Sequence, residues 1–123
     1  MVALHRLPLL NIEQEIERHP AWLGAISGLK AEKLLRGLKT PYLYLLRAGE
    51  HENDYYVTYL LPDFTIKHQP FVITATKDGW WFENGGVGGP FTKISIDDVI
   101  HLIMHCEKHN CSPIESIQER NII

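Results

Sequence analysis

Residues 41–50 read PYLYLLRAGE, an apolar and aromatic run that ends in Arg47 and a small glycine-containing turn. A full positive charge at the end of a strand that looks buried is costly unless an anion meets it. A guanidinium there suits a phosphate, because its planar fork of N–H donors can engage two oxygens at once, which an ammonium cannot. The plain alternative is a rim arginine paired with Glu50 or Glu52. The other chemistry-bearing stretch is HLIMHCEKHNC, with His101, His105, Cys106, His109 and Cys111 in eleven residues. Histidines four apart on a helix can share one zinc ion. At ~100° per residue, however, these histidines fall on the polar face with Asp98, opposite Ile96, Val99, Ile100 and Ile103. They read as a solvated helix face, and no metal site is assigned.

There is no G-x-S-x-G, no phosphate-binding loop and no cysteine on a glycine turn. The expectation is a protein without catalytic residues or cofactor. The enzyme alternative is a small metal-dependent hydrolase built on the histidine cluster.

The elements that must hold Arg47 follow from the change of period along the chain. Asn11 can cap a short helix over NIEQEIERH, ended by His19-Pro20. A second helix opens at Ser27 and runs through LKAEKLLRG, with Gly37 as its stop. PYLYLLR, YYVTYL, TIKHQPFVITA and GWWFE are rich in aromatic and β-branched residues and are separated by turn signals, which predicts an antiparallel meander. Pro70 in the third run implies a bulge, a break or an edge position. A last helix is expected from Ser95, with Asp98 completing a capping box. The order implies an α+β fold, one sheet flanked by helices.

The chain has 123 residues, enough for one domain with its own core. Its net charge of −3 argues against a general nucleic-acid binder, so any anion site must be local. Two cysteines are too few for a disulfide framework and are expected as reduced thiols. No membrane span or leader pattern is seen, and a cytoplasmic monomer is expected.

Taken in order, several of these stretches resemble the SH2 domain family. AWLGAISGLKAEKLL is similar to the family's opening, through Trp22, Gly24, Ile26, Ser27, Ala31, Glu32, Leu34 and Leu35. YLLR, residues 44–47, resembles the F-L-V-R stretch of the second strand. His68 in IKHQPFVI resembles the fourth-strand histidine, DGWWF the strand that follows, and SIDDVIHLIMH the last helix. The resemblance covers residues from about 20 to about 112. It implies an SH2-like fold over residues 20–123: a central antiparallel sheet flanked by two helices, preceded by an extension, residues 1–19, with a short helix.

The function implied is binding of phosphotyrosine-containing proteins or peptides in signalling, with Arg47 holding the phosphate. Thr58, His68, Lys30 and the loop carrying Gly49, Glu50 and His51 are supporting candidates. For the loop, the expectation is that backbone N–H groups converge on the phosphate, with Glu50 orienting the loop from behind. Strand alternation set by Tyr55, Val57 and Tyr59 facing the core puts Tyr56 and Thr58 on the site side. The chain departs from the family at Gly28, where a first-helix arginine is usual, and at Gly49, where a serine is usual. Such departures suit an outlying member, of the kind carried by bacterial effectors that act in a host cytosol. The non-enzymatic alternative is an SH2-like fold that binds a protein or a lipid headgroup without phosphotyrosine.

Overall fold

A computed structural model describes residues 13–76, 79–84, 87–90, 96–107 and 110–114, with side chains over the same residues except those between 74 and 90. The fold is α+β. Helical residues 13–17 form α1, and α2 spans Gly28–Leu38. The strands β1 (Leu43–Ala48), β2 (Asp54–Leu60), β3 (Ile66–Thr76), β4 (Gly79–Asn84) and β5 (Val87–Pro90) follow in a meander, then α3 (Ile96–Met104) and a short β6 (Ser112–Pro113). Among the described residues these strands form a six-stranded sheet in the order β5-β4-β3-β2-β1-β6. Neighbours from β1 to β5 are antiparallel, whereas β6 runs parallel to β1. Among the described residues, no helix is long and apolar enough to cross a membrane.

The apolar run of β1 is explained by helices on both faces of the sheet. Tyr44 and Leu46 join Val57, Tyr59, Phe71 and Ile73 in one cluster, closed by Ile16 of α1 and by Ile96, Val99, Ile100 and Ile103 of α3. Leu43 and Leu45 turn the other way and join Leu60, Ile114 and, from α2, Ala31 and Leu35. Each fully buried Leu or Ile contributes roughly 1.5–3 kcal/mol relative to exposure, so both faces matter to the fold. Arg47 continues the alternation of Leu43 and Leu45, at the end of the face that α2 covers.

Local sequence accounts for most element ends. Ser27 caps α2, its Oγ accepting from the Lys30 amide at 3.1 Å. The helix runs through Gly37 and stops two residues later than the glycine suggests. Lys39, at φ 52, adopts the left-handed turn instead and donates its amide to the Leu35 carbonyl. Pro70 pairs with Tyr56 on the β2 side, while the β3–β4 pairing begins at Val72, so the proline occupies an edge position towards β4. The expected Ser95 cap and the orientations of Trp80 and Trp81 lie outside the described residues and side chains.

Two long-range contacts tie the start of the chain to α3. Glu15 accepts the Ile96 amide at 3.2 Å, 81 residues away in sequence, which satisfies an amide at a helix N-terminus where a carboxylate is favourable. His19 Nδ1 accepts from the Ala21 amide, so its proton sits on Nε2 and is donated to Asp97 at 2.6 Å. The free edge of β1 is shared: residues 21–24 run parallel to it beside Leu46, and β6 takes the end near Leu43. Contrary to the expectation of reduced thiols, Cys106 and Cys111 are paired as a disulfide. The sequence signal failed because the pairing needs only the loop after α3 to turn back towards β6, which spacing alone does not reveal. His105 follows the end of α3 with φ 52, so it does not share a helix face with His101, and His109 lies outside the described residues.

Candidate functional site

Arg47 is buried, with 9% of its surface exposed, although it ends a strand. β1–β2 register sets Arg47 opposite Tyr56, and β2–β3 register sets Thr58 opposite His68, all on the face that α2 covers. The guanidinium lies over the Tyr56 ring with Cζ 4.1 Å from its centroid, a cation–π contact on an apolar support. Nε donates to Thr58 Oγ1 at 3.1 Å, and Nη2 lies 3.1 Å from His68 Nδ1. Thr58 is fully buried and its hydroxyl stands 3.0 Å from the same nitrogen.

The Thr58 oxygen accepts from Arg47 Nε, and Arg47 Nη2 and the Thr58 hydroxyl both lie within hydrogen-bonding distance of His68 Nδ1, whose single lone pair can serve one donor fully. On the other side of the ring, Nε2 donates to Glu32 Oε2 at 3.0 Å. Glu32 in turn accepts from Arg36 at 3.0 Å across one turn of α2. The bond from His68 holds the Glu32 carboxyl below the usual carboxylate range, against desolvation, with Arg36 adding to the lowering.

Arg47 differs from these groups in its charge balance. Among the described residues no carboxylate pairs with it: Glu32 is engaged by His68 and Arg36, and no ion pair joins Glu50 or Glu52 to it. Burial pulls its pKa below the ordinary guanidinium value, with the Tyr56 oxygen acting in the opposite direction. Of the five N–H groups of a guanidinium, Nε–H and one on Nη2 are engaged. The Nη1 pair and the second Nη2 hydrogen have no hydrogen-bond partner among the described residues.

Gly28, at the start of α2, faces this group directly. A Cβ there would stand 3.3 Å from Arg47 Nη2 and 3.5 Å from His68 Cε1. The helix therefore meets the site at a position where the chain supplies no side chain. The β1–β2 turn shows why residue 49 is glycine: a Cβ would meet Asp54 Cβ at 2.6 Å. The Gly49 amide is engaged by the Asp54 carbonyl at 2.8 Å and the Ala48 amide by Gly24 at 2.9 Å, so these two do not point to a common ligand.

Of the candidates read from the sequence, Arg47, Thr58 and His68 come together. Lys30, Glu50 and His51 make no hydrogen bond or ion pair with Arg47 among the described residues. Lys30 uses its amide to close the Ser27 cap, and the His51 carbonyl accepts from Asp54 within the turn. Glu50 is exposed and borders a cleft of about 190 Å³ with Asp54, Tyr56 and Pro70. Strand alternation put Tyr56 on the site side without revealing that its ring supports the guanidinium, and Glu32 was missed as the partner of His68. The i,i+4 spacing of Glu32 and Arg36 signals their own pairing on α2, but nothing in the sequence points from Glu32 to His68. In comparisons with known proteins, no family model matches the chain and no curated protein matches it.

Proposed function

We propose that the protein is an SH2-like module that binds phosphotyrosine-containing peptides through Arg47, and performs no chemistry on them. One observation carries this reading: Arg47 is buried and hydrogen-bonded on one side, yet no carboxylate among the described residues balances its charge. A buried cation without an anion is destabilising, so its retention is best explained by an anion that arrives from outside. A phosphotyrosine brings about −1.5 to −2 charges and three acceptor oxygens, which match the unused N–H groups of the guanidinium.

The order of elements and the resemblance of the YLLR strand to the SH2 family support the same reading. His68 and Thr58 shape one wall of the site, Tyr56 its floor, and the bare backbone at Gly28 the approach from the helix. The partners in this reading are tyrosine-phosphorylated proteins.

Titration with a phosphotyrosine peptide and its unphosphorylated twin, repeated on Arg47→Ala, tests the reading. Binding is expected for the phosphorylated form alone. The variant should lose at least about thirtyfold in affinity, the ~2 kcal/mol that removing one member of a buried charge pair costs. Phenyl phosphate should displace the peptide. Equal binding of both peptides, or insensitivity to phenyl phosphate, would mean that the site recognises something other than phosphate.

A further inference from the structure

The segment that follows α3 passes from one core cluster to the other around the end of β1. Cys111 is buried in the cluster closed by α3, with Cys106 packed against it, whereas Ile114, just beyond β6, is fully buried with Ala31 and Leu35 of α2. Between them β6 pairs with β1 at Leu43–Ser112 and Tyr44–Pro113 alone. The Ser112 amide donates to the Tyr42 carbonyl at 3.1 Å. A pairing this short is parallel and includes a proline that brings no amide, so backbone hydrogen bonds hold β6 weakly. The cross-link from Cys106 to Cys111 ends at the residue before β6 and fixes where the pairing starts.

We propose that the Cys106–Cys111 disulfide is a redox clasp, which when oxidised seats β6 on β1 and Ile114 under α2, and when reduced by a dithiol frees β6 and loosens α2 over Arg47. A reductant reaches it from one side, because Cys106 is partly exposed whereas Cys111 is buried. The reductant thiolate attacks Cys106 Sγ, the S–S bond breaks, and Cys111 leaves as a thiolate that takes a proton. The second thiol of the reductant then displaces Cys106 from the mixed disulfide. The protein gains two electrons and two protons, and the dithiol becomes a disulfide.

Packing carries the effect to α2. The cross-link removes conformations in which the segment detaches, so without it the opening of β6 gains chain entropy. Ile114 moves with β6, and it supplies part of the surface on which Ala31 and Leu35 rest, the remainder coming from Leu43, Leu45 and Leu60. The same helix carries the Gly28 backbone that lies against Arg47 Nη2 and the Glu32 carboxylate that holds His68. A looser α2 therefore loosens both contacts, and the oxidised form has the better ordered Arg47 site. The consequence for ligand affinity rests on the phosphate-binding reading of Arg47, whereas the clasp itself does not.

Amide hydrogen exchange of the full chain, oxidised and after reduction with dithiothreitol, tests the clasp, with a thiol count to fix the state of each sample. Reduction should lower the protection of the Ser112 amide by roughly tenfold or more and lower that of the α2 amides, while β2 and β3 keep theirs. Cys106→Ser/Cys111→Ser should match the reduced protein, and Ile114→Val should loosen α2 with the disulfide intact. Affinity for a phosphotyrosine peptide should fall severalfold on reduction. Unchanged protection of Ser112 or of α2 would make the disulfide a local staple of its loop and overturn the proposal, as would thiols that stay free under an oxidant. If the oxidised protein binds no phosphotyrosine peptide while exchange responds as expected, the phosphate reading fails and the clasp stands.

Discussion

The backbone of Gly28 lies against the guanidinium of Arg47, close enough that a Cβ would come within 3.3 Å of Nη2. A helix start is a favourable place for an anion, and here it is brought to Arg47, the one buried cation among the described residues. The missing side chain is thus part of the geometry of the site.

Gly28→Ala separates this local role from folding. Alanine at the start of a helix is neutral or stabilising by up to ~1 kcal/mol. The added methyl must displace Nη2 or the His68 ring by a few tenths of an ångström, so phosphotyrosine-peptide affinity should fall severalfold while the melting temperature holds or rises. Calorimetric titration and thermal unfolding of the same sample give both quantities. Unchanged affinity would mean that Nη2 is not in the binding geometry.

Arg47→Met tests whether the arginine is kept for binding or for stability. Replacing a buried, uncompensated cation by an apolar side chain of similar length removes a desolvation cost, and such exchanges are often neutral or stabilising. Thr58 and His68 still satisfy one another through the hydroxyl and Nδ1. The expected outcome is a stability equal to or greater than that of the parent by ~1 kcal/mol, together with loss of anion binding. A loss of more than ~2 kcal/mol in denaturant unfolding would instead make Arg47 a structural residue.

Much of this site was legible because strand alternation transmits a single assumption to many residues. Once Val57 and Tyr59 face the core, Thr58 must face the other way, and β2–β3 register then brings His68 beside it. Contacts that cross between elements were not legible. Neither the bond from Glu32 to His68 nor the bond from the Ile96 amide to Glu15 leaves a periodic trace in the sequence. Helix ends were legible only where a side chain decides them. Ser27 caps α2 as its type suggests, but Lys39 rather than Gly37 takes the left-handed turn, since the core contacts of Leu35 and Leu38 carry the helix past the glycine. The loop after Arg47 was misleading for a similar reason: Gly49 looked like a phosphate contact, and the structure shows a close approach to Asp54.

Gly49→Ala follows from that approach. The methyl would overlap Asp54 Cβ at 2.6 Å and its backbone carbonyl group at 3.0 Å, and a backbone neighbour cannot move aside as a flexible side chain can. The β1–β2 turn must open, at the expense of the Gly49–Asp54 hydrogen bond. A destabilisation of ~1–3 kcal/mol is expected by denaturant unfolding. Phosphate affinity should fall less than in Arg47→Ala, because the Gly49 amide is already engaged within the turn.

Alkaline pH should unfold the protein through its tyrosines. Burial raises the pKa of Tyr44, with a further contribution from Asp97; it pushes Tyr55 up to about 12, assisted by Glu13, Glu17 and Glu52; and it raises Tyr59. These groups are neutral in the folded state at a pH where the unfolded chain, with phenols near the ordinary value of ~10, has begun to ionise. Their contribution to stability is therefore complete below about pH 10 and is lost as pH rises towards the folded values. For Tyr55 the loss is on the order of 1–2 kcal/mol, allowing for its partial exposure. Phenolate absorbance and circular dichroism followed together against pH should show part of the tyrosine signal appearing only as the fold is lost. Tyr55→Phe should delay that transition to higher pH with little effect at neutrality. Tyrosines that all ionise near pH ~10 in a protein with native circular dichroism would contradict the packing of Tyr44 and Tyr59 on the covered face of the sheet.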